Sequence, residues 1–168
     1  MKPILYATAL LIGLVVEANF TLFAEQTSSM SSSSTTQSTP ENSHSNQDQA
    51  QMAAWMIETA QVSKDYVEGL DRGQYEESWA KGDQLFQHTI SQQEWAKALN
   101  DSRKPLGKVL SRTLKDQRPA MNPHGLPRGA YMVVEYNTSF ENAPASGELL
   151  TLRQGTDGKW RVLTYQVN

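Results

Sequence analysis

From Gly129 to Phe140 the chain alternates as a pleated strand does. Met132, Val134, Tyr136, Thr138 and Phe140 share one side, and Tyr131, Val133, Glu135, Asn137 and Ser139 share the other. One apolar face and one largely polar face predict an antiparallel strand with its first side on a core and its second in water. Upstream the period changes. Met52, Trp55, Met56, Thr59, Val62, Tyr66, Val67 and Leu70 recur at helical spacing, which predicts a helix capped by Asp48 and ended by Asp71-Arg72-Gly73. A shorter helix is expected from Tyr75 through Trp79, with Gly82 a weak point before Leu85 and Phe86. Ser91-Gln92-Gln93-Glu94 reads as a capping box, so a third helix starts there, turns Trp95 and Leu99 inward and stops before Pro105 and Gly107.

Lys108 to Lys115 forms the first expected strand, with Leu110, Arg112 and Leu114 on one face and Val109, Ser111 and Thr113 on the other. Asp116 to Arg128 holds Pro119, Pro123, Gly125 and Pro127 and reads as a long connection. After the central strand, Glu141 to Gly147 is a loop, and Glu148 to Gln154 and Trp160 to Val167 are strands joined by a Gly155-Thr156-Asp157-Gly158 hairpin. The predicted class is therefore α+β. Three N-terminal helices pack on the inner side of a curved, four-stranded antiparallel sheet in a cone-like arrangement.

The start of the chain differs in kind. Lys2 precedes an apolar run from Ile4 to Val16, short of the ~20 residues a spanning helix needs and of the length of a signal-peptide core. Residues 1–24 are expected to be a signal peptide cut after Ala24, with a cut after Ala18 as the alternative. An uncleaved N-terminal membrane anchor is the competing reading, and Glu17 within the segment argues against it. Residues 25–51 are rich in Ser, Thr, Gln and Asn and predict a disordered tether with a reach of roughly 25–30 Å. Residues 52–168 remain as a single α+β domain, large enough for one core without staples. The expected location is the periplasm or the exterior of the cell, with membrane contact only if the N-terminal segment stays uncleaved.

Composition narrows the chemistry. A net charge of −3 offers no nucleic-acid footprint, and the absence of cysteine excludes disulfides, thiolate metal sites and thiol nucleophiles. Neither common phosphate-loop spacing occurs, and His44, His88 and His124 are too scattered to converge on a metal, so no cofactor and no metal are expected. Asn137-Thr138-Ser139 matches a glycosylation acceptor in form but lies inside a strand. Charge is unevenly distributed: the helical part is acidic, and the stretch from Arg103 to Arg128 is basic. The two parts either neutralise each other on folding or leave an anion site.

Arg112 lies between two leucines, and such an arginine either snorkels at a sheet edge or is paired inside. Arg103 and Arg112 are the candidates for binding an anionic group, and Trp79, Trp95 and Tyr136 for lining the cone. Tryptophans at these spacings also serve as plain core residues. Glu135, on the polar side of its strand, is a poor general base. The leading functional expectation is a non-enzymatic periplasmic binding or accessory protein for a small anionic ligand or a protein partner. The alternatives are a small isomerase or dehydratase acting inside the cone, and a protein-binding module using the sheet face.

Trp79, Trp95, Arg103-Lys104-Pro105-Leu106-Gly107, Ser111-Arg112, Gly129-Ala130-Tyr131, Thr138-Ser139-Phe140 and Gly158-Lys159-Trp160-Arg161 with Tyr165 follow one another in a specific order. In that order and spacing residues 52 to 167 resemble the bacterial family known as domain of unknown function 4019, from which this chain departs by a base at Arg128. The resemblance implies a small exported protein and brings no catalytic residues with it. The order of elements is also similar to the nuclear transport factor two-like or cystatin-like cone, an analogy of fold alone.

Overall fold

The computed structural model describes residues 41–168. The apolar start of the chain, its expected cleavage site and the first part of the tether lie outside the described residues. Helix α1 (Glu41–Asp71) begins ahead of Asp48, inside the stretch read as tether. Gln47, Gln49, Ala50, Gln51, Ala53 and Ala54 are good helix formers and carry the helix outward from Met52 with their side chains in water. Its buried stripe is Thr59, Ser63, Tyr66, Val67 and Leu70, the helical period of the sequence.

The second expected helix is two. Helix α2 (Tyr75–Ala80) and helix α3 (Gln84–Thr89) are separated at Gly82, where a Cβ would come within 2.6 Å of the Phe86 ring. Phe86 is buried and cannot yield, so the glycine is a point of close approach. Asp83 caps α3 by accepting from the Leu85 amide at 2.8 Å. Helix α4 (Gln92–Arg103) opens on the expected capping box, with Ser91 and Glu94 satisfying each other's amides. A 3-10 turn over Lys104–Leu106 follows, and Gly107, at φ 77°, reverses the chain into the sheet. Among the described residues four α-helices thus stand where three were expected, and the α+β class holds.

The sheet has the order β1 (Val109–Met121), β2 (Ala130–Phe140), β3 (Ala143–Gln154), β4 (Trp160–Val167), each antiparallel to the next. Strand β1 runs on to Met121, past the Asp116 and Pro119 that read as a connection, because it pairs along the whole of β2. Proline is tolerated there since β1 is an edge strand. The loop after β2 contracts to a turn at Glu141 and Asn142.

The inner face of β2 carries Met132, Val134, Tyr136, Thr138 and Phe140, all buried as the alternation predicts. Leu150 and Leu152 of β3 and Val162 and Tyr165 of β4 continue that face under α1. Met132, Val134, Leu150 and Leu152 are fully removed from water, at about 1.5–3 kcal/mol of transfer free energy each. The margins of the sheet differ from its centre. Leu110 and Leu114 are 65% and 46% exposed, because β1 lies at the edge and bulges at Leu110 and at Lys115, next to Leu114. Tyr131, expected on the wet side, is buried, since the β1–β2 connection folds over it and its hydroxyl donates to the Pro127 carbonyl at 2.8 Å.

Candidate functional site

The inward register of β3 begins with an acid. Glu148 precedes Leu150 and Leu152 on the core face and is wholly buried. Four groups donate to it: Arg103 Nη1 and the Tyr165 hydroxyl to Oε1, each at 2.7 Å, and Arg112 Nε and the Thr138 hydroxyl to Oε2, each at 2.6 Å. Asp71, the last residue of α1, is the second acid of the cluster. It accepts from Arg112 Nη1 and Nη2 at 2.7 and 2.9 Å and from Arg103 Nη2. The Arg103 guanidinium also contacts the Tyr165 hydroxyl and lies 5.4 Å from the centre of the Phe140 ring.

Two arginines and two carboxylates cancel formally, in a cluster that joins the ends of α1 and α4 to all four strands. Burial pushes the Glu148 carboxyl up, but the hydrogen bonds from Arg112 and Thr138, the Arg112 charge and the Tyr165 hydroxyl outweigh it and hold the group below the usual carboxylate range. Burial works against the charge on Arg112 too, and the bonds to Asp71 and Glu148 overcome it, so its pKa is raised. Burial lifts the Tyr165 hydroxyl well above its ordinary value and keeps it a neutral donor.

Of the five residues singled out in the sequence, the cluster brings together Arg103 and Arg112. Their donors are directed at protein carboxylates. Tyr136 stands beside them on β2, its hydroxyl 2.7 Å from that of Ser63 on α1, and burial raises its pKa. Trp79 and Trp95 belong to the helical layer, where Trp79 donates to the Ile90 carbonyl at 2.8 Å and Trp95 to the Ser78 hydroxyl at 2.9 Å. Trp95 meets Phe86 edge-on at 4.7 Å, in the manner of a core aromatic. A second buried pair ties the helices to the sheet, with Asp83 accepting from Arg153 Nε and Nη2, both at 2.9 Å.

The opposite face of the sheet carries an open depression of about 610 Å³ over β1, β2 and the start of β3. Ser111, Thr113, Asn137 and Ser139 line it, and none of these four side chains hydrogen-bonds to another group among the described residues. Its only ionisable side chains among the described residues, Lys115 and Glu135, pair with each other at 2.6 Å. Glu135 thus faces outward, as the alternation of β2 implies.

Residues 62–165 match the model of the family described as protein of unknown function (DUF4019). This chain belongs to that family. The DUF4019 span opens inside α1 and closes at Tyr165, so it contains every member of the ionic cluster and the four open polar residues of the depression. No curated protein matches the chain.

Asp71, Thr138, Glu148 and Tyr165 were absent from the sequence-based site. A signal was available for one of them: Glu148 shares the phase of Leu150 and Leu152, which placed an acid on the core side of a strand. An arginine between leucines on the edge strand, one strand beyond β2, is its natural complement.

Proposed function

We propose that this chain is a non-enzymatic binding or accessory domain of an exported protein, and that it binds through the outer face of its sheet. The observation that carries this reading is the contrast between the two sides of the sheet. Inside, every charge of the cluster is answered by a protein partner. Outside, a depression of about 610 Å³ holds polar side chains without partners among the described residues, and its volume is in the range of small-molecule sites. Export rests on the apolar run from Ile4 to Val16.

An isomerase or dehydratase working inside the cone has less support. It needs a general base with a pKa lifted towards neutrality. The fully buried acid beside Tyr136 among the described residues is Glu148, which four donors hold below its ordinary value, and Asp71 is bound to the same two arginines. The test is amide chemical-shift mapping of the folded protein against a library of small soluble fragments. Hits clustering at Ser111, Thr113, Asn137 and Ser139 support outer-face binding, and hits clustering at Tyr136, Arg112 and Glu148 contradict it.

A further inference from the structure

We infer that the outer-face depression takes a neutral, hydroxyl-rich ligand of the saccharide class. The inference rests on the binding role proposed above and deepens it. Ser111 pairs with Ser139 and Thr113 with Asn137 across β1 and β2. Because adjacent strands are about 4.8 Å apart and alternate residues about 7 Å apart, these four side chains form a small rectangular grid. The grid is about the span of one pyranose ring with its hydroxyls. Each corner offers a hydroxyl or carboxamide able both to donate and to accept, which is what a ring of vicinal hydroxyls requires.

Charge and composition narrow the class further. Lys115 and Glu135 close one side as an ion pair that Arg118 and Asp116 extend into a network of two cations and two anions, so no net side-chain charge is left for an anionic or cationic ligand. Among the described residues the lining has no aromatic residue and only Pro144 and Ala145 as apolar side chains, so an apolar ligand would gain little by entering. A peptide is the less suitable occupant. An extended peptide adds to an open backbone edge, whereas these groups project from the face of the sheet. Without a stacking platform, affinity is expected in the millimolar range.

The experiment uses the folded protein with cellobiose and N,N′-diacetylchitobiose as probes, followed by amide chemical-shift mapping. The expected result is saturable shifts at Ser111, Thr113, Asn137 and Ser139, with affinity lowered about fivefold by Asn137→Ala, the effect of one hydrogen bond. Asn137 is exposed, so the variant keeps the fold, and unchanged shifts of the core amides verify this. If neither disaccharide shifts these residues at tens of millimolar while library fragments still do, the saccharide assignment falls and outer-face binding stands. If fragments also miss the face, both fall.

Discussion

Arg112 and Glu148 meet at 2.6 Å between an edge strand and the buried face of β3, and both of their remaining commitments lie within the protein. Arg112 carries on to Asp71 at the end of α1, and Glu148 to Arg103, Thr138 and Tyr165. A guanidinium thus fastens the helical layer to β1, which touches the hydrophobic core through Ala120 and has no fully buried apolar residue.

Removing the charge at the centre is expected to be expensive. Glu148→Gln leaves two buried arginines short of a counter-charge and lowers unfolding free energy by about 3–5 kcal/mol, read from denaturant midpoints. Arg112→Leu should cost less, about 2 kcal/mol, since Arg103 still serves both acids. A Glu148→Gln variant as stable as the parent would mean that the cluster does not clamp the fold.

Acid should act on the same group. The folded pKa of Glu148 lies below its ordinary value, so the unfolded chain takes the proton more readily. The stabilisation is complete above the unfolded carboxylate value of about 4.3 and is lost as pH falls below it through the folded value. Melting temperatures measured from neutral to strongly acidic pH should drop in that window, and the drop should be shallower in Glu148→Gln.

The alternation of Met132 to Phe140 placed the central strand and its buried face, because a half-buried strand writes its environment into every second residue. The capping box at Ser91 and the hairpin before Trp160 were equally legible, since both are local chemistry. The extent of β1 was not. Asp116 and Pro119 are strand breakers in isolation, and only pairing with β2 makes an edge strand of them. The partners of Arg112 were hidden for a related reason. Asp71 and Glu148 are distant from it in sequence, and a helix end or strand start says nothing about what it will meet.

Two glycines carry different costs for an added side chain. Both Gly107 and Gly125 have left-handed φ, 77° and 81°, but a Cβ at Gly107 would meet Glu141 Oε2 at 2.8 Å and one at Gly125 would meet nothing within 4 Å. Gly125→Ala should cost about 1–2 kcal/mol for the conformation alone. Gly107→Ala should cost more, and Glu141 would lose its 2.9 Å bond from the Lys108 amide. Gly107 also has ψ −159°, a region open essentially to glycine, so equal losses in thermal melts of the two variants would contradict both the strain and the crowding assigned to it.

Asp83 caps α3 and also holds Arg153, and the two roles can be parted. Asp83→Asn keeps a side-chain acceptor for the Leu85 amide and loses the charge, whereas Asp83→Ala loses both. Stability should fall in the order parent, Asn, Ala, with the last step about 1 kcal/mol. If Asn and Ala are equal in denaturant titrations, the cap adds nothing to the ion pair.

The outer-face reading depends on an interior whose acid is already fixed as an anion. A carboxyl-carbon NMR titration of Glu148 tests this most directly, with an apparent pKa below that of an ordinary glutamate as the expected result. Titration at or above the ordinary value would mean that the arginines do not hold it, and would return the space between helices and sheet to consideration as the working site.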